Sequence, residues 1–144
     1  PKATTLGENQ QEVSMKKLVL AVALLFAGPA FAADPILGLW KTIPDDNGYY
    51  GHIQIAPCGD KICGTLIASF TAADNKPYAS ANVGKKLMWD MVSEGDGNYG
   101  SGKVWSPDRD KTYKGKLVLS SGELDVKGCV AFICRSGGIW YRVK

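Results

Sequence analysis

The sequence predicts an all-β fold, a small closed antiparallel up-and-down barrel of about eight strands. Strand-like runs recur with turn signals between them, at the roughly 8–12-residue spacing typical of barrels and sandwiches. Apolar and polar residues alternate along several of these runs, so that one face is buried and one is solvated. After the first thirty or so residues, no long segment has helical periodicity. Parallel α/β architectures need helical crossovers and are therefore disfavoured.

Length and composition indicate one globular domain. The chain has 144 residues, 45% of them hydrophobic, with a formal net charge of +3 from 17 Lys and Arg against 14 Asp and Glu. Acidic and basic residues are interleaved along the chain, without the basic run or face that marks a nucleic-acid-binding protein. We therefore predict no nucleic-acid partner.

Two segments at the start of the chain are expected to lie outside the fold. Residues 1–14 lack targeting features, and we predict that they are a non-native upstream extension without order. From Met15 the sequence has two lysines, a ten-residue apolar run and small residues up to Ala32. This pattern predicts a secretory signal peptide over residues 15–32, cleaved after Ala32, and hence a periplasmic or secreted protein. The apolar run is too short for a permanent membrane anchor, which needs about 18 residues or more.

The remaining residues, 33–144, are predicted to form the barrel domain. Turn signals such as Asn47-Gly48 supply the positive backbone dihedrals of tight hairpins. The weakly patterned stretch over 71–85 is expected to be an excursion over one end of the sheet. The strands are predicted over about 36–43, 49–56, 62–70, 87–92, 99–105, 112–119, 124–130 and 139–143.

Alternation assigns the faces of the later strands. Leu124 and Val126 alternate with charged neighbours, and Lys114 and Lys116 alternate with apolar or small residues. An open eight-stranded sheet would expose two edges to aggregation, whereas closure removes them. Eight strands close into a barrel wide enough for packed side chains or for one small ligand.

All four cysteines lie in the barrel domain, as two pairs with four residues between their members. Export would place them in an oxidising compartment, where disulfides persist. The repeated spacing favours the local bridges Cys58–Cys63 and Cys129–Cys134, each worth roughly 2 kcal/mol in the chain-entropy model. A crossed pairing would close longer loops and stabilise more, about 4 kcal/mol each, so it stays open. Zinc is disfavoured because the spacing differs from that of zinc sites and His52 is the single histidine; no metal and no cofactor are predicted.

Several motifs together point to a family. The chain has Gly38-Leu39-Trp40, the turn Cys58–Gly64, Asp74-Asn75-Lys76-Pro77, Pro107–Tyr113, and an ending with Leu124-x-Val126-x-Gly128-Cys129, Cys134-Arg135-Ser136 and Trp140-Tyr141-Arg142. This combination resembles the bacterial domain-of-unknown-function family numbered 2147, across essentially all of residues 33–144. The resemblance implies a small exported protein with a lipocalin-like fold. It implies no particular activity.

The resemblance also implies a structural role for three residues. Lipocalin-type barrels begin with Gly-x-Trp and place an arginine of the last strand across the indole. In this sequence Gly38 and Trp40 open the first strand, and Arg142 lies on the last. First and last strands are neighbours in a closed meander, so the guanidinium is expected to lie on the ring, a contact worth about 0.5–2 kcal/mol.

The function expected from these observations is the binding of a small apolar or amphipathic molecule by sequestration or carriage. Aromatic residues on consecutive strands, with a few polar groups, are the usual lining of such a site. The candidate ligand-binding residues are His52, Gln54, Trp89, Tyr99, Trp105 and Tyr113. Because facing is uncertain by one residue, core packing is the alternative interpretation of the aromatic residues.

Other functions are predicted less strongly. The alternative is a barrel without a cavity that acts through its surface, as an envelope or host-interaction protein. A hydrolase is disfavoured, since the sequence has one histidine, no Gly-x-Ser-x-Gly motif and cysteines expected to be oxidised. We therefore predict no catalytic residues and no enzymatic activity. The sequence leaves the oligomeric state open.

Overall fold

The computed structural model describes residues 33–144, and the predictions for residues 1–14 and 15–32 lie outside these residues. Within the described part, nine strands form and no helix has the length and hydropathy needed to span a bilayer. The strands are β1 (Gly38–Lys41), β2 (Tyr49–Cys58), β3 (Lys61–Thr71), β4 (Pro77–Tyr78), β5 (Lys86–Gly95), β6 (Asn98–Ser106), β7 (Lys111–Ser120), β8 (Glu123–Val130) and β9 (Ile133–Arg142).

Eight of these strands close into an antiparallel barrel. Each strand pairs with the next along the chain from β1 to β3 and from β5 to β9, and β3 pairs with β5. The ring closes between the first and last strands, where Trp40 pairs with Arg142 and Lys41 with Tyr141. The two-residue β4 is an addition to the edge of β3. The predicted closed up-and-down barrel of about eight strands is confirmed.

The stretch over 71–85 runs back along β3 and does not simply cross the end of the sheet. Its short strand β4 pairs with Ser69 and Phe70. Further on, the amide of Gly84 donates to the carbonyl of Leu66 at 2.7 Å, and the amide of Leu66 donates to the carbonyl of Lys85 at 3.0 Å. These hydrogen bonds lie on the same edge of β3 that pairs with β5 further along the strand. They therefore leave less of this edge without hydrogen-bond partners.

The last strand is longer than the sequence predicts, because β9 begins at Ile133 and not near 139. The glycines Gly137 and Gly138, expected to precede the strand, lie inside it at a shift of register opposite Val126 and Lys127. A bulge of this kind takes up an extra residue without ending the pairing. Strands β8 and β9 therefore form a long hairpin that reaches the turn at 131–132.

The two ends of the barrel are built differently. At one end, here called the N-terminal end, Ile36 is fully buried ahead of β1, and the hydroxyl of Tyr99 donates to a carboxylate oxygen of Asp34 at 2.5 Å. Residues 34–37 thus close this end. The other end, here called the loop end, is formed by the β1–β2 loop, the stretch over 71–85 and the β6–β7 and β8–β9 turns.

The core lies inside the ring and belongs to a single compact unit, Asp34–Lys144. The strand pairings and core contacts of the described residues fall within this unit, which therefore holds the barrel and its core. The buried cluster is Ile36, Trp40, Ile53, Ile55, Leu66, Met88, Met91, Tyr99, Val104, Leu117, Leu124, Val126 and Trp140.

The trio implied by the resemblance is assembled at the closure of the barrel. The guanidinium carbon of Arg142 lies 4.1 Å from the centroid of the Trp40 ring. The same guanidinium donates to the carbonyl oxygens of Leu37 at 2.7 Å and Pro35 at 2.5 Å. A Cβ on Gly38 would lie 2.7 Å from Nη1 of Arg142, and its φ of +131° is one that side chains rarely adopt. Glycine is therefore required beneath the arginine.

Both disulfides are local. Cys58 is joined to Cys63 across the β2–β3 turn, with Cα atoms 5.8 Å apart. Cys129 is joined to Cys134 near the end of the β8–β9 hairpin, with Cα atoms 4.0 Å apart. This confirms the pairing that the repeated spacing favours and excludes the crossed alternative. Each bridge staples one hairpin.

A candidate ligand site at the loop end of the barrel

The middle of the barrel is filled by its own side chains. Ile53, Met88, Met91 and Leu117 are fully buried there. A Cβ on Gly64 would lie 3.0 Å from the terminal carbon of Met88, so this side chain lies directly against the backbone of the wall. A ligand in the middle would have to displace packed side chains, at a cost of several kcal/mol. The geometry therefore favours a site at an end of the barrel.

The six residues predicted to bind a ligand lie on two faces. Tyr99 and Tyr113 point inward. On β2, buried Ile53 and Ile55 alternate with His52 and Gln54, which puts the latter two on the outside. The four that point outward are His52, Gln54, Trp89 and Trp105.

This placement separates His52 and Gln54, on the outer surface, from the inner lining in which the sequence analysis grouped them with Tyr99 and Tyr113. The expectation rested on grouping polar and aromatic residues without a fixed register. For Trp89, an irregularity of β5 also affects which way the side chain faces. The backbone of the next residue, Asp90, has a φ of +56° between buried Met88 and Met91. Such an irregularity breaks the strict alternation from which facing is inferred.

On the outer face, His52 belongs to an aromatic cluster. Its ring centroid lies 4.6 Å from that of Phe70 and 6.2 Å from that of Tyr50. Partial burial, followed by the positive charge of Lys41, lowers the pKa of His52 below its usual value. The ring is therefore neutral at neutral pH. The hydroxyl of Tyr50 also donates to Asn75 at 2.9 Å, so the cluster fastens the segment that follows β3.

The two outward tryptophans pack on the wall of the barrel. Trp105 donates from Nε1 to a carboxylate oxygen of Asp110 at 3.0 Å, and the ammonium of Lys85 lies 5.3 Å from its ring centroid. Trp89 is half-buried and lies opposite Lys103 in the β5–β6 ladder. These contacts hold the β6–β7 turn and the neighbouring strand in place.

The two inward tyrosines differ in their exposure to a ligand. Tyr99 is buried, and burial, followed by the hydrogen bond and charge of Asp34, raises its pKa above the usual value. It is a protonated donor that ties residues 34–37 to β6. Tyr113 is half-buried at the loop end and packs against the core. A Cβ on Gly128 would lie 3.1 Å from its ring, so the ring covers that glycine.

Exposed apolar side chains concentrate at the loop end. In the described part of the chain, nine large apolar side chains are substantially exposed. Six of them belong to the loop end: Ile43 (46%), Tyr78 (41%), Val83 (43%), Val130 (66%), Phe132 (104%) and Ile133 (67%). Single exposed apolar residues are ordinary, but a group at one end of a barrel marks an interaction site.

Several of these side chains belong to the inner face of the ring. A Cβ on Gly138 would lie 3.2 Å from the end of the Ile43 side chain, which places Ile43 against the inside of β9. Tyr78 stacks on Tyr49 with ring centroids 4.0 Å apart and an interplanar angle of 17°. The inner face thus continues past the packed core as a group of exposed apolar side chains, here called the collar. It consists of Ile43 and Tyr78 and, from the β8–β9 hairpin, Val130 and Ile133.

The β8–β9 hairpin completes this collar. Val130 follows Val126 and Gly128 on the inner side of β8, and it pairs with Ile133 on β9. Arg135 lies opposite Gly128 and therefore shares the same face. The collar can take an apolar group, and Arg135 adds a positive charge beside it. Within residues 33–144, no group of three or more His, Cys, Asp or Glu side chains comes together as a metal site.

Most of the collar was not predicted from the sequence. Of the predicted candidates, Tyr113 is the one that points inward near the loop end; Ile43, Tyr78, Val130 and Ile133 were not among them. One signal was available: the turn between Cys129 and Cys134 consists of apolar residues, where turns usually carry Gly, Asn or Asp. The other positions depend on which loops meet at one end.

The closed eight-stranded ring, with one end sealed by the segment before β1, defines a lipocalin-like barrel. A solved structure supports this class: the chain resembles protein HP1028 from Helicobacter pylori, described as belonging to the lipocalin family, with a TM-score of 0.60. The two are 13% identical, and the match covers 78% of this chain and 85% of the other, which shows a shared fold.

The family follows from the sequence itself. The model of a family described as "Uncharacterized protein conserved in bacteria (DUF2147)" matches residues 38–142, and the chain belongs to this family. The family indicated by the motifs is therefore confirmed. Among curated proteins, none matches the sequence.

Proposed function

We propose that the protein is an exported binding protein, and not an enzyme, that holds a small amphipathic molecule at the loop end of its barrel. The observation that carries the proposal is the exposed apolar collar on the inner face, above a packed core. Arg135 on the same face favours a ligand with an acidic head and an apolar body. The lipocalin-like fold supports the proposal, since barrels of this size commonly hold one small ligand.

Export is supported by the disulfides. Two local bridges in a chain of this length are typical of proteins from oxidising compartments. The signal-peptide pattern over residues 15–32 points to the same route. A ligand carrier in the periplasm or outside the cell needs no cofactor.

Binding of an environment-sensitive apolar dye that carries a sulfonate group tests the ligand site. The folded barrel domain is titrated with 1-anilinonaphthalene-8-sulfonate, and saturable binding is expected. Ile43→Ser should weaken this binding about threefold or more, because it removes apolar area from the collar. Fluorescence titration below the melting temperature gives the dissociation constant.

Ile67→Ser is the matched control for this titration. Both isoleucines are 46% exposed, but Ile67 lies on β3 and not in the collar. Equal weakening by the two substitutions would contradict a site at the loop end. Dye binding that develops only as the protein unfolds would contradict ligand binding by the barrel altogether.

A further inference from the structure

The tip of the β8–β9 hairpin, defined as residues 129–134, presents apolar side chains to solvent. Phe132 is 104% exposed, and Val130 and Ile133 on either side are exposed by about two thirds. The Cys129–Cys134 disulfide lies directly beneath them and fixes the two strands together. The tip therefore holds its aromatic ring outward on a stapled turn.

The composition of this turn differs from that of the other turns in the same barrel. The β5–β6 turn is Gly95-Asp96-Gly97-Asn98, and the β7–β8 turn is Ser120-Ser121-Gly122-Glu123. The tip instead has four apolar residues in succession, with Ala131 at a φ of +53°, where glycine or asparagine is preferred. An exposed apolar run of this length is disfavoured in solution unless it serves an interaction.

A basic hollow adjoins the tip on the outer wall. It has a volume of about 410 Å³ and reaches from β6 and β7 to Cys129, Ala131 and Cys134 of the tip. Three lysines line it, Lys103, Lys114 and Lys116, against one carboxylate.

The arrangement of charges in the hollow leaves it cationic. Lys103 and Lys114 lie directly opposite each other across the β6–β7 ladder. The side chain of Glu94, the single acid of the lining, lies over Gly100. Like charges placed opposite one another on adjacent strands destabilise a sheet. A site with three cations and one anion therefore favours an anionic partner.

From this juxtaposition we propose that the tip and the basic hollow dock the protein onto a membrane surface containing anionic phospholipids. Phe132, Val130 and Ile133 enter the interface between headgroups and acyl chains, while Lys103, Lys114 and Lys116 meet the lipid phosphates. Aromatic and aliphatic side chains combined with lysines are the chemistry that interfacial binding requires. The disulfide keeps the tip ordered before contact, so little entropy is lost on docking. Val130 and Ile133 belong to both the tip and the collar, but docking requires no bound ligand, and Phe132 and the three lysines lie outside the collar.

Flotation of the protein with vesicles tests this proposal. The chain beginning at Ala33 is used, because Asp34–Lys144 is the compact unit that holds the barrel and the apolar run before it would itself enter lipid. It is mixed with vesicles of phosphatidylcholine plus phosphatidylglycerol, or of phosphatidylcholine alone. We expect binding to the anionic vesicles that weakens in molar salt, where charges are screened within about 3 Å.

Two sets of variants separate the apolar and the charged contributions. Phe132→Ser should weaken binding to anionic vesicles about tenfold or more, as the loss of one buried aromatic side chain implies. The triple variant Lys103→Gln, Lys114→Gln, Lys116→Gln should also lose about tenfold or more and no longer prefer anionic vesicles. Ile67→Ser and Lys61→Gln, exposed on the wall and at the N-terminal end, are the matched controls and should bind normally. All six altered side chains are exposed, and circular dichroism checks each fold.

Three results would overturn the proposal. One is equal binding to both kinds of vesicle that salt does not affect. Another is the absence of vesicle binding, together with saturable binding of inorganic phosphate that the lysine triple variant loses, which would make the hollow a site for free anions. The third is self-association in sedimentation that Phe132→Ser abolishes, without vesicle binding, which would make the tip a contact between copies of the chain.

Discussion

Arg142 shows how much of the barrel's closure depends on one side chain. Its guanidinium lies 4.1 Å from the Trp40 ring centroid and donates to the carbonyls of Leu37 and Pro35. It therefore joins the last strand to the first strand and to the segment that closes the N-terminal end. Trp40 is fully buried beneath it.

Arg142→Ala should therefore lower the free energy of unfolding by roughly 1–3 kcal/mol, through the loss of the cation–π contact and of hydrogen bonds from a charged donor. Arg135→Ala is the control, because Arg135 is an exposed arginine on the same strand. Urea denaturation of the two variants gives the difference directly. Similar destabilisation by both would show that Arg142 is an ordinary surface charge.

At the scale of elements, irregular strands decide which residues face inward. Positive φ at Asp90 and Ser101 accompanies shifts in the pairing of β5 with β3 and of β6 with β7. At this place β5 and β6 approach each other closely. A Cβ on Gly102 would lie 2.8 Å from the backbone carbon of Asp90 and from the amide nitrogen of Met91.

Gly102→Ala is therefore expected to lower the free energy of unfolding by about 3 kcal/mol or more, because backbone atoms of β5 cannot move aside without disturbing the ladder. Gly115→Ala is the comparison. Its Cβ would first meet the end of the flexible Met91 side chain, then Val104 at 3.0 Å, and backbone only at 3.2 Å, so a smaller loss of about 1–2 kcal/mol is expected. Thermal denaturation of both variants tests which substitution destabilises more. A larger loss of stability for Gly115→Ala would contradict the close approach of β5 and β6 at Gly102.

At the scale of the whole molecule, the fold combines a closed ring with a sealed end and two stapled hairpins. Every barrel strand has a neighbour on both sides, which removes the sheet edges that promote aggregation. Core, closure and disulfides all fall within Asp34–Lys144.

Expression of the full chain in a bacterial host should therefore yield a mature protein that begins at Ala33 and has all four thiols oxidised. Intact-mass spectrometry of the natively purified protein checks both points, since each disulfide removes two hydrogen atoms. The same native spectrum reports a co-purified ligand. A mass that retains residues 15–32 would contradict export by the predicted route, and free thiols would contradict an oxidising compartment.

Much of the fold was predictable because its causes are local. Turn residues such as Asn47-Gly48, and the alternation of Leu124 and Val126 with charged neighbours, act over a few residues. The contact of Arg142 with Trp40 follows once the first and last strands are neighbours. The candidate site was harder to predict, since a bulge in the pairing of β5 with β3, beside Trp89, reverses which residues of β5 face inward.

The sequence alone therefore determined the fold class and the family, and it favoured the local cysteine pairing that the structure confirmed, because repeated spacing and alternation encode short-range constraints. Tertiary structure decided where a partner could bind. The collar and the basic hollow join residues from separate strands and loops, and their proximity comes from the strand pairing of the closed ring. Side-chain packing in the middle of the barrel, which no local pattern specifies, decided that the interior is filled and the loop end is exposed.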